Sequence, residues 1–109
     1  MSGLSTHVLD TASGKPAAGV RVRLFQGATE FSSAVTNADG RVANLLPQGT
    51  ALATGVFRIV FEVATYFAAT TTPSFYPEVT VCFEVRDASV HYHVPLLISP
   101  FGYTTYRGS

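Results

Sequence analysis

Val56-Phe57-Arg58-Ile59-Val60-Phe61-Glu62-Val63 is the most regular stretch of this 109-residue chain. Phe57, Ile59, Phe61 and Val63 fall on one face at a period of two while Arg58 and Glu62 lie on the other, the signature of a half-buried β-strand. The alternation recurs on both sides of it. Downstream, Pro77 introduces Glu78 to Arg86, where Val79, Val81, Phe83 and Val85 share a face opposite Thr80, Cys82, Glu84 and Arg86. Val90 to Ile98 follows, and Tyr103 to Arg107 reads as a last short strand. Upstream, Leu4, Thr6 and Val8 alternate with Ser5, His7 and Leu9 until the stretch from Thr11 to Pro16 ends the strand. Val20, Val22 and Leu24 then alternate with Arg21 and Arg23. Ser32 to Thr36 runs into Asn37-Ala38-Asp39-Gly40, a tight-hairpin signal because Asp-Gly supplies positive φ.

Helix has little room in this pattern. Val and Thr, which pack well on a pleated surface, occur thirteen times each. Only Thr65 to Thr70, before Pro73, predicts a helix, of one or two turns. Seven or eight short strands separated by turn signals predict an all-β protein, a two-sheet β-sandwich with one short helix. No repeat or linker interrupts it, so residues 1–109 read as a single domain.

Composition removes several functions. Charged residues make up 13% of the chain, with seven basic against seven acidic side chains, about half of the ~25% share usual in soluble proteins. No basic surface for nucleic acid is available. Net charge near zero and a single lysine, Lys15, favour self-association, because little repulsion keeps copies apart. No apolar run approaches the ~20 residues of a membrane span, and Met1-Ser2-Gly3-Leu4 lacks the basic start of a leader, so no membrane partner is expected. Cys82 is alone, which rules out a disulfide within the chain and fits a reducing compartment, the cytoplasm.

The chemical inventory is small: three histidines, one cysteine, no tryptophan, no phosphate-binding glycine loop and no Gly-x-Ser-x-Gly elbow. His91 and His93 stand two apart on a strand, which puts both imidazoles on one face. An imidazole titrates near neutrality and can take a proton from water and return it to a leaving group. The same pair also fits exposed polar positions or satisfied core histidines, or two ligands of a zinc ion whose third ligand would have to be His7. Arg41, emerging from its turn, and Arg107 are permanent cations able to hold a planar anion through paired donors. Arg21, Arg23 and Arg58 read as solvated, and Cys82 as structural. The tail, Phe101-Gly102-Tyr103-Thr104-Thr105-Tyr106-Arg107-Gly108-Ser109, is too aromatic for a frayed end and predicts packing against something.

Leu4-Ser5-Thr6-His7-Val8-Leu9-Asp10, Gly14-Lys15-Pro16-Ala17, His91-Tyr92-His93-Val94-Pro95-Leu96-Leu97, Ser99-Pro100 and Tyr106-Arg107-Gly108-Ser109 together resemble the 5-hydroxyisourate hydrolases, the transthyretin-related enzymes of urate breakdown. The likeness runs from end to end. Its front part is shared with transthyretin-like sandwiches that only bind, whereas the terminal Tyr-Arg-Gly-Ser marks the hydrolases and is absent from hormone-carrying transthyretins.

The resemblance implies two four-stranded sheets with a short helix, a homotetramer built as a dimer of dimers, and active sites in a channel where dimers meet. It implies His7, Arg41, His93 and Ser109 as catalytic residues. His7, Arg41, Tyr106, Arg107 and Gly108 would bind substrate, with no metal and no cofactor. His91 is a neighbour on the same strand face. The implied reaction opens a ring amide of 5-hydroxyisourate, yielding 2-oxo-4-hydroxy-4-carboxy-5-ureidoimidazoline. His7 and His93, one of them neutral, would position and deprotonate water. Arg41 and Arg107 would hold the purine oxygens, and Ser109, through its hydroxyl or terminal carboxylate, would orient a histidine or arginine. A transthyretin-like binder of a small aromatic ligand, without catalysis, is the alternative, and a purely structural sandwich is a third.

Overall fold

Alternation sorts the strands into two sheets whose apolar faces meet. The computed structural model describes residues 2–109. Its strands are β1 (Gly3–Asp10), β2 (Lys15–Pro16), β3 (Arg21–Gln26), β4 (Thr29–Val35), β5 (Arg41–Val42) and β6 (Gly55–Phe61). After the helix α1 (Val63–Ala68) come β7 (Val79–Val85), β8 (His91–Ser99) and β9 (Gly102–Thr105). One sheet runs β2-β1-β8-β9, with β5 also on β1; the other runs β4-β3-β6-β7. The architecture is the expected all-β sandwich, with nine strands because β2 and β5 are two-residue pairings too short to show in a hydrophobic pattern. β5 makes the first sheet five-stranded, where the resemblance implied four.

The core lies between the sheets. Leu4 and Val8 of β1, Val22 and Leu24 of β3, Phe57, Ile59 and Phe61 of β6, and Leu96 and Ile98 of β8 are all essentially inaccessible. Each such side chain is worth about 1.5–3 kcal/mol relative to leaving it in water. Since inward residues on β1 are Leu4, Thr6, Val8 and Asp10, strand geometry turns Ser5 and His7 to the outer face. The same alternation on β8 buries Tyr92, Val94, Leu96 and Ile98 and turns His91 and His93 outward, while Pro95 on that outer face is buried as well.

Three local expectations shift. The helix begins two residues earlier than Thr65, because Val63 leaves the strand pattern and pairs at i, i+4 with Phe67 as the two buried residues of α1. Tyr66 then ties α1 to the first sheet, its hydroxyl donating to Asp10 Oδ2 at 2.8 Å. Burial, and next that hydrogen bond, push the Tyr66 phenol up to about 12. The Asn37–Gly40 turn is no hairpin: it carries the chain from β4 in one sheet to β5 in the other. Gly40 has φ +74°, and a Cβ there would stand 2.4 Å from the Val8 carbonyl oxygen, so only glycine fits. The last strand stops at Thr105 rather than Arg107.

Candidate active site

The polar residues expected to act lie on the outer face of the five-stranded sheet, and strand register decides which of them meet. β1 and β8 run parallel, with Gly3 opposite His91, Ser5 opposite His93 and His7 opposite Pro95. β5 joins β1 antiparallel with Arg41 opposite His7, which puts those two side chains on one face. Asn37 holds Arg41 at the exit of its turn: the Asn37 side-chain oxygen accepts from the backbone N–H of Asp39 and Arg41 at 2.9 and 3.0 Å, and the Asn37 N–H donates to the Arg41 carbonyl at 3.0 Å.

A cavity of about 320 Å³ opens on this face, and its polar lining is Ser5, Thr6, Arg41, His91, His93 and Ser109. Ser5 Oγ lies 2.7 Å from His91 Nε2 and 2.7 Å from His93 Nδ1. His93 Nε2 is thereby left as the nitrogen free to act. Burial, followed by the charges of Arg41, His7 and His91, lowers the His93 pKa below its ordinary 6.5, so the ring is neutral at neutral pH. Among the described residues no salt bridge engages Arg41, which leaves its donors for an anion or a polarised carbonyl.

Two glycines shape the imidazole pair. Gly108 donates its N–H to the His93 carbonyl at 2.8 Å and bridges β8 as an added, antiparallel partner. A Cβ at Gly108 would meet His93 Cδ2 at 2.6 Å, and one at Gly3 would meet His91 Nδ1 at 2.7 Å. Side chains at either position would push the rings off their shared hydroxyl.

Of the expected residues, Arg41, His93 and Ser109 share this cavity, and Gly108 lies against His93. His7 stands beside it, close enough for its charge to act on His93. Tyr106 and Arg107 do not join them within the protomer: they line a second cavity, of about 250 Å³, with Val81, Phe83, Tyr92 and Val94. There the Arg107 guanidinium carbon sits 4.5 Å above the Tyr92 ring, an arrangement favoured by the ring's negative face. A larger depression, about 440 Å³, lies beside α1. It holds no comparable chemistry, because Asp10 is already engaged by Tyr66 and by the N–H groups of Ala12 and Ser13. Among the described residues no three His, Cys, Asp or Glu side chains gather as a metal-binding group.

Ser5 lines this cavity although its pairing is not announced in the sequence, and His91, expected as a neighbour on the strand face, is joined to His93 through it. The one signal for Ser5 is its place two residues before His7 on the same strand face. Its meeting with two histidines some ninety positions away depends on the parallel register and is not written locally.

A two-sheet sandwich of this topology defines a class with both binding proteins and hydrolases. The chain belongs to the HIUase/Transthyretin family, whose model matches residues 4–108. It is 50% identical over 114 residues to the 5-hydroxyisourate hydrolase of Deinococcus radiodurans, covering 98% of this chain and 96% of that one. The structure of Klebsiella pneumoniae 5-hydroxyisourate hydrolase superposes with a TM-score of 0.91 at 38% identity, over 100% of this chain and 94% of the other. Sea bream transthyretin in complex with thyroxine reaches 0.90 at 30% identity, over 97% and 94%. Fold therefore does not separate carrier from hydrolase, and the site must.

Proposed function

We propose that this chain is a 5-hydroxyisourate hydrolase of urate degradation. The observation that carries the reading is the single cavity holding neutral His93, Arg41 and Ser109 on a sheet face, in a chain half identical to a hydrolase of that name. Water adds to a ring amide carbonyl of 5-hydroxyisourate, the C–N bond breaks, and the ring nitrogen leaves with a proton. The product is 2-oxo-4-hydroxy-4-carboxy-5-ureidoimidazoline. His93 Nε2 takes the proton of the attacking water, and a base with a pKa near or below the working pH stays available for this. Arg41 offsets the negative charge that develops on the carbonyl oxygen, a role worth about 10²–10³ in rate for a well-aimed donor. His7, paired with Arg41 across β1 and β5, orients the substrate, and Ser109 closes the cavity beside His93.

The working unit in this proposal is one domain, residues 1–109, assembled as a cytoplasmic homotetramer, a dimer of dimers. Three features support assembly. Among the described residues β7 and β9 each pair on one side only, which leaves two edges free to extend the sheets. Tyr106 is 56% exposed, and both it and Arg107 face away from the His93 of their own protomer. In a channel between dimers these tail residues would complete the site of a neighbouring copy. Lone Cys82 fits a reducing compartment, and no helix of the described residues is long and apolar enough to cross a membrane.

The test follows the ultraviolet absorbance of 5-hydroxyisourate made fresh by urate oxidase, with spontaneous decay subtracted. The intact chain should accelerate its loss, and a folded version truncated before Tyr106 should not. Absence of acceleration by an intact tetramer would move the protein to the ligand-binding branch of its family.

A further inference from the structure

One serine hydroxyl stands between two imidazoles, and it carries a single proton. Ser5 Oγ is 2.7 Å from His91 Nε2 and 2.7 Å from His93 Nδ1. A hydroxyl can donate to one of these nitrogens and accept from the other; it cannot donate to both. Because the oxygen has two lone pairs it can also accept from both, so at least one of the two facing nitrogens must carry a proton, and a bare nitrogen on one ring requires an N–H on the other. If His93 carries its proton on Nδ1, it donates to Ser5, and Ser5 donates to a bare His91 Nε2. If His91 carries a proton on Nε2, it donates to Ser5, and the hydroxyl is then free either to turn to a bare His93 Nδ1 or to accept from a protonated one. A neutral His93 with that bare Nδ1, the second arrangement, has its proton on Nε2, the nitrogen left for the cavity.

We propose that His91 is a positioning residue that acts through Ser5 to set the tautomer of His93: a neutral, Nε2-bare His91 locks the His93 proton on Nδ1 and leaves its Nε2 basic, and protonation of His91 releases that lock. The proposal rests on the reading of His93 as the base. The local structure is arranged for the coupling. Gly3 and Gly108 leave no room for a Cβ beside the respective rings, so both are confined at the distance where the shared hydroxyl reaches them. His91 is exposed and His93 half-buried, so the solvent-facing ring senses pH and the inner one responds. Passage to the second arrangement balances as a relay: water delivers one proton to His93 Nε2, the His93 Nδ1 proton passes to Ser5 Oγ, and the hydroxyl proton passes to His91 Nε2. The other charged and titratable groups facing His93 are His7 from β1 and Arg41 from β5, with Ser109 alongside from the tail. His7 and Arg41 favour a neutral His93 and choose neither of its nitrogens.

The deciding measurement is ¹⁵N NMR of the imidazoles in the intact, substrate-free protein, with Ser5→Ala, His91→Phe and His91→Gln compared. In the wild-type protein at neutral pH His93 should be protonated on Nδ1, and the Nε2–H form should become populated as His91 titrates. Ser5→Ala and His91→Phe should abolish that coupled change. Turnover should follow: kcat drops by about 10-fold in both, a fraction of the usual worth of a general base, with KM within about two-fold of wild type. His91→Gln, whose amide oxygen accepts from Ser5 and does not titrate, should recover most of kcat and move the acid limb of the pH profile to lower pH. A His93 tautomer that ignores the state of His91 in the wild-type protein, or is the same in His91→Phe, overturns the proposal. Because His91 is exposed, its variants report even if Ser5→Ala fails to fold. Because the NMR needs no substrate, failure of the hydrolase reading is seen separately, as absent turnover with the tautomer coupling intact.

Discussion

The two outer faces of the sandwich carry similar side chains and use them in opposite ways. On the four-stranded sheet the arginines are spoken for. Arg21 donates to Ser33 Oγ at 2.9 Å, Arg23 meets Glu30 at 2.6 Å and Glu62 at 3.7 Å, and Arg58 donates to the Gly27 carbonyl at 2.8 Å while lying over Phe25. Their mutual hydrogen bond holds the Glu30 carboxyl below its usual range and the Arg23 guanidinium above it. On the five-stranded sheet Arg41 has no carboxylate partner among the described residues. Three histidines gather there with a single serine between two of them. A face with its charges internally matched has nothing left to offer a ligand. A face that leaves a cation and a neutral imidazole unmatched is poised to act on one.

Substitution tests that contrast, and the largest effect is expected at His93, the proposed base. His93→Ala should lower kcat/KM by about 10²–10⁴-fold with folding and assembly retained; the absorbance assay beside a mass measurement of the oligomer checks this. A variant that keeps full turnover would show the five-stranded face to be as inert as the other.

Gly108→Ala comes next. Its Cβ would press on the His93 ring at 2.6 Å, so kcat should fall about 10-fold or more, as displaced catalytic groups do. The thermal midpoint should move little, because the tail lies outside the core. Loss of activity with an unchanged His93 ring position in a crystal structure of the variant would contradict the steric account.

Acidification probes the same contrast through stability. The folded-state pKa of His93 lies below the 6.5 of the free side chain, so as pH falls the unfolded chain takes up this proton first. The stability held by keeping the ring neutral is complete above 6.5 and is lost as pH falls through the lower folded value. Urea midpoints measured from about pH 8 down to about pH 5 should therefore decline, and less so in His93→Gln. An equal decline in both proteins would place the titration elsewhere.

Arg23→Ala, on the matched face, should have the smallest effect. An exposed ion pair contributes little and is screened by salt, so kcat/KM should stay at the wild-type value and Tm should shift by less than about 5 °C. Activity loss there would show that the two faces are coupled through the core.

Much of this organisation is legible in the sequence. The β6 alternation predicts Phe57, Ile59 and Phe61 as core, and all three are. The spacing of His91 and His93 predicts a shared face, and the family motifs point to His7, Arg41 and the tail. Pairings between distant segments are not legible in the same way. The Asp39-Gly40 turn looks like a hairpin because a local pattern says only that the chain reverses, not which sheet it enters. Tyr106 and Arg107 look like partners of His93 because the family motif groups them with it. In the protomer they turn instead toward Tyr92 and the edge of β7.

The strands, their buried faces and the set of groups able to do chemistry follow from the residues alone, since a period of two and the nature of each side chain are local properties. That β1 lies parallel to β8 with Ser5 opposite His93, and that β5 brings Arg41 across from His7, emerges only in the folded chain. Register between strands far apart in the chain follows from how whole faces pack and which edges meet. One residue of slip would have turned the serine and His7 into the core.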